Sequence, residues 1–300
     1  MRNKYWSKDQ FKVNDHEDRR LGIGGSDASA IMGANSYKTK YELWLEKTGK
    51  TEPEDKDNEY TRWGKFMEDA VLRKYKIRRS NMTWWNQEGS TYRYAHIDGY
   101  KKSAKENGGG HLIYEIKAPS FGKKYNQDVS IKELNPSYYW QAIHYLSIFE
   151  ENKFNKVMLI IASAPYFHHF YVHMSDNQVK DDLKDYLDKS WEFWVCVMEN
   201  IPVEPETHSD MKLAYPSVNS NEYPNATEED LENLAIIDNA SSEKSALEGT
   251  IEYSKNMIRK SIGGYEGLSF NEEVIVSNKE DKNGKRSLRI TYQRRDKDDF

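Results

Sequence analysis

The stretch from Tyr92 to Lys117 reads Tyr-Arg-Tyr-Ala-His-Ile-Asp-Gly, then a connection containing three glycines in a row, then His-Leu-Ile-Tyr-Glu-Ile-Lys. Both ends are rich in β-branched and aromatic residues, the signature of two strands. Side chains two apart on a strand share a face, so Glu115 and Lys117 project together while Ile116 turns into the core. If the strands are neighbours, Asp98, at the end of the first, reaches the same point. Two carboxylates there suit a hard cation such as Mg²⁺, which prefers oxygen ligands and keeps several waters. An ammonium beside them can orient or help deprotonate a water, and can offset charge building on a phosphate under attack. Charges also alternate on the solvated face of many strands, so the pattern by itself leaves that plainer reading open.

Around this pair of strands the sequence alternates between helical and extended signals. Residues 1–18 are polar and read as a lead-in. Ser26 or Asp27 can cap a short helix that ends near Gly33, and Thr39-x-x-Glu42 is a capping box opening a helix stopped by Gly49. A charged loop over 50–59 precedes a helix of about 60–76 that carries Glu68. Strands are predicted near 83–88, 92–98, 111–118, 156–163 and 167–173, with helices of about 137–151 and 176–198. This is a mixed sheet with helices on both sides. Composition shifts after Pro202 and Pro205, and residues 204–227 read as a connector. Beyond it, Ala226-Thr-Glu-Glu-Asp-Leu231 begins a helix with Leu231, Leu234, Ile237, Ala240, Leu247, Ile251, Met257 and Ile258 near helical spacing, interrupted by Ser241-Ser242. Two strands near 270–276 and 287–293 flank Lys282-Asn-Gly-Lys285, a hairpin signal. The expected organisation is a core over residues 1–203, a connector over 204–227 and an appendage of helix plus β-hairpin over 228–300.

Several further residues fall into an ordered series with the two strands. Arg20-Leu-Gly-Ile-Gly24-Gly25-Ser26-Asp27-Ala28 comes first, then the helix Tyr41-Glu-Leu-Trp-Leu-Glu-Lys-Thr-Gly49. Trp63-Gly64-x-x-x-Glu68, Asp98-Gly, Glu115-Ile-Lys117 and Gln141-x-x-x-Tyr145 follow in that order. Over roughly residues 18–203 this series resembles the YqaJ-type viral recombinase family, relatives of the phage lambda exonuclease within the PD-(D/E)XK nuclease superfamily. The proline common before the first aspartate of that superfamily is Ile97 here. A helix and hairpin after the nuclease core also fit the family.

The resemblance implies an α/β fold with a restriction-endonuclease-like core and assigns roles by residue. Asp98, Glu115 and the carbonyl of Ile116 would bind Mg²⁺, with Mn²⁺ as a substitute. Lys117 would position the attacking water, and Glu68 and Gln141 would support the centre. Arg20, Gly25 and Ser26 would form a pocket for a DNA 5′-phosphate; without the resemblance, a simple capped turn is the better reading of that segment. Tyr145 is grouped with the DNA contacts. The implied activity is 5′→3′ digestion of double-stranded DNA ends in a phage or prophage recombination system, leaving 3′ single strands for an annealing protein of the RecT or Beta type. A homo-oligomer is implied, a closed trimeric ring being the relatives' form. Two alternatives stay open: another nuclease of the superfamily, endonucleolytic or RecB-like, and a DNA-end-binding scaffold that has lost its chemistry. The intact Asp98, Glu115 and Lys117 set speaks against the scaffold.

The remaining candidates have plainer readings. His96 shares a strand face with Asp98 but has no second histidine beside it, and His168-His169 reads as strand filler. At least one of Trp84 and Trp85 is core, since adjacent side chains on a strand face opposite ways. The basic run Arg73-Lys-Tyr-Lys-Ile-Arg-Arg79, with Lys101-Lys102 and Lys123-Lys124, is either a solvated face or a set of phosphate contacts. The net charge of −5 argues against a general nucleic-acid coating protein, which would be basic. A single cysteine, Cys196, excludes a disulfide within the chain and reads as an inert core thiol. No apolar stretch approaches the 18 or so residues that span a bilayer, and Met-Arg-Asn-Lys-Tyr-Trp has no apolar signal core, so a cytoplasmic protein in a bacterial host is expected.

Overall fold

A computed structural model describes residues 18–52, 58–80, 83–85, 92–101, 111–119, 122, 124–149, 154–217, 223–270, 273–280, 282, 284 and 286–291. The chain divides into two compact units, Met1–Val218 and Asn219–Phe300.

In the first unit, 3₁₀ turns at Asp18–Leu21 and Gly25–Asp27 lead into α1 (Ala28–Ile31), α2 (Lys40–Lys47) and α3 (Glu59–Lys74). The short strands β1 (Arg78–Arg79), β2 (Thr83–Trp85), β3 (Tyr94–His96) and β4 (Gly99–Lys101) follow, then β5 (His111–Lys117). Next come α4 (Ile131–Leu134), α5 (Pro136–Phe149), β6 (Phe154–Ser163), β7 (Tyr166–His173), α6 (Asn177–Met198) and α7 (His208–Ala214). The main sheet runs β1-β4-β5-β6-β7, with β2 and β3 paired separately. β5 and β6 are parallel, joined through α4 and α5, and the other neighbours in the main sheet are antiparallel. The result is the mixed α/β arrangement the sequence predicts. Strand β1 and strand β4 are additions to that reading, and residues 86–88 of the strand expected at 83–88 lie outside the described residues.

Alternation along β5 sorts its side chains onto two cores. Ile113 joins Val157, Leu159 and Ile161 of β6 under α5 and α6. Ile116 turns to the opposite face and packs with Ile160 and Ala162 against Met67, Val71 and Leu72 of α3. Glu115 and Lys117 therefore share the α5 face, as strand periodicity requires. The helices that frame them are fixed locally. Proline opens α5 where no amide partner is needed, and Asn135 Oδ1 accepts from the Tyr138 amide at 3.2 Å. Thr39 and Glu42 form the expected capping box of α2. Trp84 is core, in contact with Phe149 at 4.9 Å between ring centroids. His168 is buried, and His169 Nε2 lies 2.9 Å from the Tyr75 hydroxyl. Cys196 packs, half-buried, beside the cluster of Trp44, Phe193 and Trp194.

Part of the segment read as a connector is ordered as helix α7. Its capping Thr207 accepts from the Asp210 amide, and buried Asp210 accepts in turn from the Thr39 hydroxyl at 2.6 Å, tying α7 to the start of α2.

The second unit consists of α8 (Glu228–Ile262), β8 (Gly267–Phe270), β9 (Glu273–Glu280) and β10 (Arg286–Ile290), the strands forming an antiparallel sheet in the order β10-β9-β8. Helix α8 runs unbroken through Ser241-Ser242, where the apolar spacing lapses, because serine is only a few tenths of a kcal/mol worse than good helix formers. One expectation is corrected here. The hairpin has a third strand, β8. At its turn Gly284 has φ +77°, a conformation glycine adopts without penalty. Among the described residues no helix is long and apolar enough to cross a membrane.

Candidate active site

The carboxylate of Glu115 is 5% exposed, and both its oxygens have partners. Oε1 accepts from Gln141 Nε2 at 2.8 Å and pairs with Lys117 Nζ at 2.7 Å. Oε2 lies 2.9 Å from the Tyr145 hydroxyl. Gln141 and Tyr145 are one turn apart on α5, so both reach β5 from the same helix face. Gln141 Nε2 also donates to the Tyr145 hydroxyl at 2.7 Å, and that hydroxyl sits 3.0 Å from the carbonyl of His96. Read as a DNA contact, Tyr145 is instead 2% exposed. Its hydroxyl is committed to Glu115 and β3, which makes it a support for the carboxylate.

Asp98 lies in the two-residue link between β3 and β4, immediately before Gly99. Its Oδ2 accepts from the Ile116 amide at 2.6 Å, which holds it against β5 beside Glu115. Burial raises its pKa well above the ordinary carboxylate range, and the negative charges of Glu115 and Glu68 push the same way. Burial opposes charge on Lys117 too, but contact with Glu115 and the nearby Asp98 outweigh it and leave that ammonium harder to deprotonate. Glu68 reaches this region from α3 on the other side of the sheet. Burial raises its pKa despite Arg79, whose Nη1 lies 2.6 Å from Glu68 Oε1. Arg79 also contacts Asp69.

Asp98 and Glu115 lie side by side with Glu68 within electrostatic reach, and burial shifts two of the three, Asp98 and Glu68, toward protonation, an arrangement that gains from a cation. Among the described residues no three acidic, histidine or cysteine side chains are close enough to make a ready cage. The donors fit a hard ion held by one or two carboxylates and a backbone carbonyl with water completing its shell, as Mg²⁺ prefers.

A cleft of about 270 Å³ adjoins this centre, with Gln141 and Tyr145 in its wall. Arg20, Gly25, Ser26 and His96 line it as well. Among the described residues, Arg20 Nε and Nη2 are buried without a hydrogen bond, and Nη2 has only an ion-pair contact with the exposed Glu52 at 2.8 Å. Gly25 lies directly on α5: a Cβ there would come 2.7 Å from Tyr145 Cε1. His96 is exposed, its Nε2 2.8 Å from the Thr83 hydroxyl. Burial and the neighbouring Arg19 lower its pKa.

Two contributors escaped the sequence reading. Lys47, at the end of α2, is buried and ties the cleft loop together through Asp27 Oδ2 (2.6 Å), the Arg19 carbonyl (2.7 Å) and the Gly22 carbonyl (2.8 Å). Burial raises the pKa of Asp27, but Lys47 more than compensates, and Asp27 Oδ2 accepts from the Gly24 amide at 2.8 Å. Asp27 thus braces the loop and makes no side-chain cap to the following helix. The available signal was the position of Lys47 four residues after Leu43 on a helix face otherwise apolar. Arg79 was read only as part of a basic run.

The centre is therefore a carboxylate–lysine cluster at the middle of a mixed sheet, braced by a Gln-x-x-x-Tyr helix. Residues 16–152 match the family model of the YqaJ-like viral recombinase domain, so the resemblance carried by the sequence motifs is shown over that segment. The uncharacterized protein YqaJ of Bacillus subtilis (strain 168) is 42% identical over 77 residues, 26% of this chain and 23% of that protein. The match thus spans less than a quarter of that relative's length. Among solved structures, the alkaline exonuclease LHK-Exo of Laribacter hongkongensis aligns at 13% identity over 62% of this chain and 93% of its own, with a TM-score of 0.42. A phage related exonuclease from Haemophilus somnus 129PT aligns at 12% identity over 60% of this chain and 96% of its own, with a TM-score of 0.41.

Proposed function

We propose that the first unit is a Mg²⁺-dependent deoxyribonuclease that digests double-stranded DNA from a 5′ end and leaves a 3′ single strand for an annealing protein. The observation that carries this reading is the Glu115 carboxylate, held by Gln141 and Tyr145 on one side and by Lys117 on the other, next to an Asp98 whose ionisation its neighbours oppose. Asp98, Glu115 and the Ile116 carbonyl would hold Mg²⁺, which when bound polarises the phosphate and lowers the pKa of a water. Lys117 orients that water and offsets charge developing on the phosphoryl oxygens. Gln141 and Tyr145 fix the carboxylate orientation so that little reorganisation accompanies the reaction. Glu68 adds a third negative group at the rim, with Arg79 determining how much of that charge the centre feels.

The neighbouring cleft supplies polarity. Arg20 Nε has no hydrogen-bond acceptor among the described residues, its Nη2 meets only the exposed carboxylate of Glu52, and Ser26 is an exposed hydroxyl lining the same cleft, a set suited to a terminal phosphate. The 5′ end would then rest on one side of Gln141 and Tyr145 and the scissile bond on the other.

Digestion of a linear and a covalently closed circular duplex in Mg²⁺ tests the reading. Loss of the linear form with the circle intact is expected. Cutting of the circle would favour an endonuclease, and binding of ends without cleavage of either would favour a scaffold.

A further inference from the structure

Tyr138, Gln141 and Tyr145 stand at positions i, i+3 and i+7 of α5 and so share one helix face. Gln141 and Tyr145 grip Glu115. Tyr138, one turn nearer the start of the helix, meets the residue two further along β5: Lys117 Nζ lies 5.4 Å from the centre of the Tyr138 ring. The two spacings match. Three residues advance about 4.5 Å along a helix and two advance about 6.6 Å along a strand, and a long helical side chain leans toward the N-terminus of its helix, which makes up the difference. Among the described residues the Lys117 ammonium has two contacts, this ring and Glu115 Oε1 at 2.7 Å. The ring is itself held in place. The Tyr138 amide donates to the Asn135 carbonyl at 3.1 Å and to Asn135 Oδ1 at 3.2 Å, and the side chain packs, half-buried, against the larger hydrophobic core. Burial pushes the Tyr138 phenol above its ordinary pKa although Lys117 pulls it down, so a neutral ring faces the cation.

We propose that Tyr138 is the positioning residue of Lys117, its ring holding the ammonium beside Glu115 where the attacking water is to be oriented. This role rests on the nuclease reading of the centre. A lysine is a point charge on a flexible four-carbon stem, so its charge serves one place only if something restricts it. Glu115 restricts it from one side, but a single ion pair leaves the stem free to swing about the carboxylate. An aromatic ring within about 6 Å attracts the cation by its electron-rich face. It also presents no lone pair that would draw the ammonium hydrogens away from a water. The face of α5 is thereby divided: Gln141 and Tyr145 hold the carboxylate, and Tyr138 holds the ammonium.

Two substitutions in the full chain separate the ring from its bulk. Tyr138→Phe keeps the aromatic face, and Tyr138→Leu keeps apolar volume without it. Single-turnover cleavage of a duplex is expected to stay within about twofold of the parent in Tyr138→Phe and to fall about tenfold in Tyr138→Leu, the size of one cation–π contact expressed as a rate. Duplex affinity in Ca²⁺ and the Mg²⁺ concentration for half-maximal cleavage should not move in either. In a Lys117→Ala background Tyr138→Leu is expected to slow cleavage no further, because the group it positions is gone. Parental cleavage by Tyr138→Leu in an active parent would overturn this inference alone. So would a further loss of the same size with Lys117 already absent, which would mark a purely structural role, and so would a Tyr138→Phe as slow as Tyr138→Leu, which would move the function to the hydroxyl. A parent chain that cleaves no duplex would overturn the nuclease reading and this inference with it.

Discussion

Gly25 rests against the ring of Tyr145, so close that a methyl group at Gly25 would come 2.7 Å from Tyr145 Cε1 and 3.2 Å from Gln141 Cγ. The loop that carries Arg20 and Ser26 and the helix that holds Glu115 are thereby joined at one point. Gly25→Ala must displace one or the other. Overpacking of this kind costs roughly 1–3 kcal/mol, and the displaced Tyr145 hydroxyl would release Glu115. We expect a lower melting temperature together with a loss of cleavage, measured on the same preparation. Unchanged activity would show that the contact does not transmit to Glu115.

Tyr145→Phe isolates the hydrogen bonds from the packing. The ring stays, but Glu115 Oε2 and the His96 carbonyl lose the hydroxyl between them. A buried acceptor left without its donor costs about 1–3 kcal/mol, so chemical denaturation should show a loss in that range and the Mg²⁺ concentration needed for half-maximal cleavage should rise. A variant as stable as the parent would mean that water replaces the hydroxyl.

The ionisation of Asp98 works against the stability of the metal-free protein. Its pKa is raised on folding, so the folded state holds a proton that the unfolded chain releases near pH 3.8. The associated stability is present below that pH and is lost as pH rises through the elevated folded value. In EDTA, Asp98→Asn should melt above the parent at pH 7, and that difference should shrink as the pH falls toward 3.8. Mg²⁺ should stabilise the parent and leave the variant unchanged. A parent that melts at the same temperature with and without Mg²⁺ would speak against a cation at this point.

Arg20 makes a prediction about ends. Duplexes with a 5′-phosphate should be digested faster than duplexes with a 5′-hydroxyl, since a charge-assisted guanidinium–phosphate contact is absent from the latter. Arg20→Ala should remove the difference. Equal rates on both ends in the parent would place end recognition elsewhere.

What the sequence revealed depended on range. The shared face of Glu115 and Lys117, the Thr39–Glu42 capping box and the Gln141–Tyr145 face are local patterns with a fixed period, and each was legible. The Thr207-x-x-Asp210 box of α7 was equally local but lay among prolines and asparagines that suggested a connector. Arg79 and Glu68 are eleven residues apart and meet because β1 runs back past α3, which no periodicity encodes. Lys47 and Asp27 are joined only once α2 folds over the glycine-rich loop, and a lysine at a helix end reads most simply as solvent-exposed. The commitment of Tyr145 to Glu115 required knowing which face of β5 lies under α5.

Lys117 tests the central claim most directly, because its loss removes the ammonium without removing any proposed metal donor. Single-turnover cleavage of a 5′-phosphorylated duplex at saturating Mg²⁺ should fall by roughly 10²–10³ in Lys117→Ala, the usual consequence of deleting one electrostatic contributor, while the affinity for the same duplex, measured without cleavage in Ca²⁺, stays close to that of the parent. Digestion at the parental rate by Lys117→Ala would contradict a catalytic centre built on Asp98, Glu115 and Lys117.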